Sequence, residues 1–300
     1  MFELFLEKLR HGTYITLETT PSRSAQFAPT IDKIEALGLQ NLVDGFSTTD
    51  NPLAKLKYNA LFAAMKLQER FGKPALATMS MRDRNRIALQ SDLLGANEAN
   101  VRAILALTGD SAHNSDQPHA KGVFEGNSKL LLDIIATLNN GTDMAEQKLI
   151  APVQEIYPFA VTDAYAKSAA TLQKKMTKKV AHGAIGIISQ PVYDLENAKK
   201  LLEMMAEANL ENSAESVLVL GYFPITKLRT ARFLDENVPG IFVPSAWVAA
   251  LEKASHISPE EEYKVGFELS KTLFEELKAL HPKIHIMTAN QFELAKAILS

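Results

Sequence analysis

The stretch Tyr14-Ile15-Thr16-Leu17-Glu18-Thr19-Thr20-Pro21-Ser22-Arg23 decides how the chain folds. Apart from one glutamate it begins with β-branched, aromatic and apolar residues, and Pro21 stops the run, so a strand is predicted over 14–20. An open doubly wound sheet places a glycine-rich phosphate loop directly after its first strand, yet Thr19-Thr20-Pro21-Ser22-Arg23 holds no glycine. Outward from there the pattern repeats. Further strands are predicted over 41–49, 75–81, 101–108, 149–157, 184–190, 216–222 and 283–288. Helices are predicted over 24–37, 52–71, 83–97, 128–138, 164–181, 195–208, 227–236, 259–280 and 291–299, with an extension through 239–253. Gly38 and Gly72 close two helices, and Pro52 opens one. The unbroken Ile104-Leu105-Ala106-Leu107 run predicts a strand buried on both faces. Eight strand-then-helix units predict an α/β protein, a single (β/α)8 TIM barrel occupying 1–300 as one domain.

Composition narrows the chemistry. At 46% hydrophobic and 22% charged residues, with a formal net charge of −3, the chain has the make-up of an ordinary globular protein. No run approaches the roughly 20 apolar residues a bilayer crossing needs, and residues 1–10 interleave Glu3, Glu7 and Lys8 with apolar side chains, so neither membrane insertion nor a signal peptide is expected. A cytoplasmic location is expected. No basic block offers a footprint for nucleic acid. With no cysteine there is no disulfide, thiolate metal site or iron–sulfur cluster, so redox chemistry requires an organic cofactor.

Barrel active sites form at the C-terminal ends of the strands. Those ends read Glu18, Thr48-Thr49-Asp50, Thr78 and Ser80, Thr108-Gly109-Asp110, Tyr157, Ser189-Gln190 and Tyr222, with Arg82-Asp83 just beyond the third. Glu18 stands out because a carboxylate on an apolar strand is either satisfied by partners, such as an arginine on the next strand, or functional. Asp110 follows a Thr-Gly turn and serves equally well as a loop cap or a catalytic group. Lys174, Lys175, Lys178 and Lys179 lie at helical spacing, which makes either a solvated face or a contact for an anion such as a diphosphate. Of the seven histidines only His281 and His285 are four apart, and Pro282 breaks the helix such a pair needs, so no metal site is expected.

Two long segments carry a resemblance: Met81-Arg82-Asp83-Arg84-Asn85-Arg86-Ile87-Ala88-Leu89-Gln90-Ser91-Asp92-Leu93-Leu94-Gly95-Ala96, then Ile104-Leu105-Ala106-Leu107-Thr108-Gly109-Asp110. Together with Thr49-Asp50-Asn51-Pro52, Val123-Phe124, the run from His182 to Asp194, Val238-Pro239-Gly240-Ile241 and Ile286-Met287-Thr288, they resemble the methylenetetrahydrofolate reductase family in the same order along nearly the whole chain. The resemblance implies a flavoprotein, with FAD in preference to FMN, that takes hydride from NADH or NADPH and reduces 5,10-methylenetetrahydrofolate in one-carbon and methionine metabolism. A homo-oligomer is expected as well.

By the same resemblance Glu18 is the proton donor that opens the methylene bridge, and Asp110 lies between flavin and folate. Gln190 contacts the pterin; Tyr222, as a strand-end residue, is expected beside the substrate. Thr49, Thr78, Ser80, Thr108, Gly109, Asp110, Tyr157 and Lys179 contact the flavin, and Lys175 and Lys178 join Lys179 at its phosphates. The chain departs from the family pattern in several places. Leu17-Glu18-Thr19-Thr20-Pro21 replaces Phe-Glu-Phe-Phe-Pro, and Thr78-Met79-Ser80-Met81 replaces His-Leu-Thr-Cys and so lacks a histidine that contacts flavin. Ile156-Tyr157-Pro158-Phe159 lacks a second histidine, and Ser189-Gln190 replaces Thr-Gln. Two alternatives stand beside the reductase: a flavin-free folate-binding barrel engaged in methyl transfer, and a flavoprotein subunit that works only with a partner.

Overall fold

In the computed structural model, which describes residues 1–300, parallel strands pair in chain order and β1 pairs with β8 to close a barrel. They are β1 (Tyr14–Thr19), β2 (Gly45–Thr48), β3 (Ala75–Ser80), β4 (Ala103–Leu107), β5 (Tyr157–Thr162), β6 (Gly186–Pro191), β7 (Val217–Tyr222) and β8 (Lys283–Ile286). The helices are α1 (Phe2–His11), α2 (Ala28–Ala36), α3 (Ala60–Phe71), α4 (Arg86–Glu98), α5 (Ser128–Asn139), α6 (Ala169–Ala181), α7 (Leu195–Asn212), α8 (Leu228–Asn237), α9 (Ser245–Ser255), α10 (Pro259–Leu280) and α11 (Phe292–Leu299). The expected (β/α)8 TIM barrel is the fold. No helix is long and apolar enough to cross a membrane.

Strand alternation sorts the core into two shells. Outward-facing Leu17, Phe46, Ala77, Ile104, Ala160, Ile187, Leu220 and Ile284 pack with the helices in one buried cluster. Inward-facing Tyr14, Leu76, Ala103, Leu105, Phe159, Ile188 and Val219 form a second, which α1 completes with Phe2, Phe5 and Leu9. This helix closes the N-terminal mouth of the barrel, a role the sequence pattern did not suggest. The Phe5 ring lies 4.9 Å from that of Tyr14, and a Cβ on Gly45 would come within 2.8 Å of it, so only glycine lets the plug seat.

Helix starts follow from local chemistry. The Asn59 side chain accepts from Leu61 N and Phe62 N at the head of α3, and Ser168, Asp194 and Ser258 cap α6, α7 and α10 in the same way. The predicted helix over 52–71 is therefore split, with a single 3-10 turn at Pro52–Ala54 before α3 begins at Ala60. The extension through 239–253 leads into α9, which begins at Ser245 and runs on to Ser255.

The fifth strand is a correction. It runs Tyr157–Thr162, whereas 149–157 was predicted, and 149–156 is loop with Ile150 fully exposed. Pro158, which disfavours a strand reading, is accommodated because its carbonyl still accepts Ile185 N at 2.9 Å.

Candidate active site

Above the inner apolar layer the strand ends turn polar and line a cavity of about 440 Å³. Glu18, Thr49, Thr78, Ser80, Thr108, Gly109, Asp110, Lys179 and Gln190 all border it, as do Asp50, Arg82, Ser128, His285 and Met287. Glu18 points inward from β1 with 22% of its side chain exposed. Burial pushes its carboxyl up to about 7. No arginine pairs with it. Its neighbour is His285 on β8, with Nε2 4.0 Å from Glu18 Oε2, and burial holds that ring down to about 4. His285 is therefore neutral near pH 7 and supplies no counter-charge. Its Nδ1 meets Thr16 Oγ1 at 2.7 Å, and its Nε2 lies 3.4 Å from Ser47 Oγ.

Asp110 has a structural partner. Its Oδ2 accepts Leu53 N at 2.6 Å, tying the loop after β4 to the loop after β2. The Arg82-Asp83-Arg84 run, met first as sequence, braces the same rim. Arg82 makes two hydrogen bonds of 2.7 Å to Asp83 and one of 3.1 Å to Asn51 O, while Arg84 bridges Asp50 at 2.6 Å and Asp92 at 2.8 Å. Asp50 also accepts Ser80 N, so these charges hold the ends of β2 and β3.

At β6 the register breaks between Ile188 and Pro191, and this brings the consecutive residues Ser189 and Gln190 both to the cavity. Ser189 Oγ donates to Gln190 O and accepts Gly221 N. Gly221 is obligatory, since a Cβ there would lie 2.1 Å from Ser189 O.

Four expected site residues lie elsewhere. Tyr157 begins β5 at the opposite mouth, 5.4 Å from the Phe2 ring and beneath Arg102, because the strand starts where it was expected to end. Tyr222 faces outward from β7, donates to Ser270 O at 2.7 Å and packs on Phe274. Lys175 pairs with Asp163 at 3.2 Å, and Lys178 is exposed; neither lines the cavity. Of the lysine cluster only Lys179 reaches inward, donating to Val161 O, and burial lowers its pKa. His285, weighed from the sequence only as a metal ligand, and Met287 were not expected at the site, although period-two alternation from Lys283 places His285 on the inner face of β8 and Met287, just past its end, on the same side.

Polar strand ends around a buried carboxyl place this cavity at the mouth where (β/α)8 barrels carry their active sites. Within that class the sequence model of the family described as methylenetetrahydrofolate reductase matches residues 6–300, and the chain belongs to that family. No curated protein matches the chain significantly. Among solved structures, an uncharacterized Clostridium thermocellum protein described as binding two copies of 5-methyl-5,6,7,8-tetrahydrofolic acid superposes with a TM-score of 0.64 at 15% identity, over 99% of this chain and 97% of that one. EDTA monooxygenase from Chelativorans sp. BNC1 superposes with a TM-score of 0.57 at 8% identity, over 96% and 91%. At these identities the likeness concerns the fold.

The flavin implied by the sequence resemblance can be tested against the donors present. Thr49 Oγ1 and Ser80 Oγ are buried without partners and border the same cavity as the Gln190 amide, which suits a flat heterocycle with a polar edge. The phosphate tail finds no such match. Among the charged residues bordering the cavity, Glu18, Asp50 and Asp110 are acids, Arg82 is held by Asp83, and Lys179 by Val161 O. Nearby helix starts are engaged in part as well: Ser128 N donates to Thr108 Oγ1, Lys129 N to Asn127 Oδ1, Thr171 N to Ser168 Oγ and Asn197 N to Asp194 Oδ1. The residues fit a polar ring and do not fit the phosphates of FMN or FAD.

Proposed function

We propose that the chain reduces 5,10-methylenetetrahydrofolate to 5-methyltetrahydrofolate, with a reduced nicotinamide as the source of hydride. The observation that carries this reading is the Glu18 carboxyl, held near neutrality by burial at the floor of a cavity in a member of this family. Gln190 offers one donor and one acceptor, the pairing that the amide edge of a pterin requires. With the pterin on Gln190, Glu18 protonates N10 and the five-membered ring opens to an N5 iminium. The carboxylate left behind stabilises that cation, and Asp110 adds negative charge at the mouth. Hydride then adds to the methylene carbon and completes the methyl group.

The test is anaerobic incubation with NADH or NADPH and 5,10-methylenetetrahydrofolate, with 5-methyltetrahydrofolate followed by mass spectrometry. Glu18→Gln should lower turnover by roughly 10²–10⁴-fold while folate binding persists. Turnover by this variant at the wild-type rate would remove Glu18 from the chemistry.

A further inference from the structure

We infer that hydride passes directly from the C4 carbon of the nicotinamide to the methylene carbon of the folate, with both rings in the cavity together and no flavin between them. This rests on the reductase reading above and adds the route of the electrons. Retention of the cofactor is the first requirement. A resident flavin nucleotide must stay bound through many turnovers, and phosphate contacts are a main means of holding it. Here the arginine at the cavity is already paired, the lysine is hydrogen-bonded to a carbonyl, and each nearby helix start already has N–H groups engaged by side chains of the protein. A co-substrate is held to a looser standard. It needs a KM in the range of about 1 μM to 1 mM, so its diphosphate can remain in solvent outside the mouth while its ring enters.

The cavity has a surface for that ring. Leu105, Leu107, Val161, Ile188 and Met287 provide apolar wall beside the polar positions Glu18, Thr49, Ser80 and Gln190. A pterin ordered by the polar residues leaves the apolar wall to the nicotinamide, whose ring needs only stacking contact and a short path to the methylene carbon.

The step balances. The C4–H bond of the dihydronicotinamide breaks, its electron pair and hydrogen form the new C–H bond, the donor leaves as oxidised nicotinamide, and the iminium becomes the N5-methyl amine. The proton on N10 comes from Glu18, which regains one from solvent.

Direct transfer and flavin-mediated transfer leave different records. Reduced flavin exchanges the hydrogen on its N5 with water, so label from the nicotinamide is diluted before it reaches folate. The experiment uses the full chain as purified. Flavin content is read after denaturation, and FAD and FMN are then titrated by fluorescence. Initial rates are measured over a grid of both substrates, with each 4-deuterated isomer of the nicotinamide in ordinary water. We expect protein without stoichiometric flavin, rates unmoved by added flavin, intersecting double-reciprocal lines and one deuterium kept in the product methyl group from one of the two isomers. Co-purified stoichiometric flavin, a rise of more than about tenfold on adding FAD or FMN, parallel lines, or loss of label to water overturns direct transfer and leaves the reductase reading intact. Absence of 5-methyltetrahydrofolate with and without added flavin overturns both.

Discussion

Glu18 and His285 face each other at 4.0 Å, and burial drives both toward their neutral forms, one up to about 7 and the other down to about 4. The consequences for stability have opposite signs. Between pH 4.5, its ordinary value, and about 7, native Glu18 keeps a proton that the unfolded chain releases, so stability falls as pH rises. Between about 4 and 6.5, its ordinary value, the unfolded chain protonates His285 and the native state does not, so stability rises with pH. In the overlap the two slopes offset each other. Glu18→Gln should therefore expose the rising slope and His285→Gln the falling one, each by at most roughly 3 kcal/mol across its window. Urea midpoints at several pH values read this directly, and variant profiles parallel to the wild type would refute it. Turnover has its own sign: as the general acid, Glu18 loses its proton through about pH 7, and kcat should fall with it. Much of this site was legible from strand ends alone, since Glu18 is a lone acid on an apolar strand. His285 was not, because its neutrality comes from enclosure by neighbouring strands, which no local pattern records. Tyr222 was misplaced for a related reason, as chain position at a strand end does not say which face the side chain takes.

The loop after β2 is held in a costly conformation. Asn51, Leu53 and Ala54 have φ of 45°, 56° and 56°, a left-handed region that costs non-glycine residues about 1–2 kcal/mol each. Its ties are Asp110 to Leu53 N, Asn51 Oδ1 to Lys57 N at 2.8 Å, Asp116 to Leu56 N at 3.2 Å and Arg82 to Asn51 O. Asp110 and Arg82 are the ties that also border the cavity, and Asp110, bonded to the strained Leu53 itself, joins loop geometry to ligand binding. Asp110→Ala should speed amide exchange at Leu53 and raise the folate KM by roughly ten- to a hundredfold, the worth of a hydrogen bond to a charged acceptor. Asp110→Asn keeps an acceptor, so it should restore slow exchange and KM while lowering kcat through the lost charge. Wild-type exchange at Leu53 in both variants would show that the tie does not hold the loop. Element boundaries were readable where one residue enforces them, as with Gly72 closing α3. They were unreadable where tertiary packing decides. The apolar residues of 149–157 imitate a strand, whereas the strand in fact contains Pro158, admitted only because β6 asks for its carbonyl and not for an N–H.

Across the whole barrel, stability and chemistry are divided between the two mouths. At one end α1 seats Phe2, Phe5 and Leu9 in the inner cluster, with Arg102 4.5 Å from the Phe2 ring centroid. The polar cavity opens at the other. A six-residue strand such as β1, rising roughly 3.3 Å per residue, separates them by nearly 20 Å, and no hydrogen bond or ion pair joins Phe5 to Asp110. Phe5→Ala should cost about 3–5 kcal/mol, because the ring is buried against Tyr14 and Phe159 and the closed barrel cannot collapse around the void. Its kcat and KM should stay at wild-type values below the melting range. Asp110→Ala should do the reverse, with a small stability change and a large effect on KM. Sites this far apart with no shared partner add, so the double variant should lose the sum of the two stability changes to within about 0.5 kcal/mol and show the KM of Asp110→Ala alone. Urea denaturation and initial rates on the four proteins complete the cycle. A coupling of more than about 1 kcal/mol, or a KM that Phe5→Ala shifts by itself, would mean that the plug reaches through the inner cluster to set the floor on which Glu18 stands.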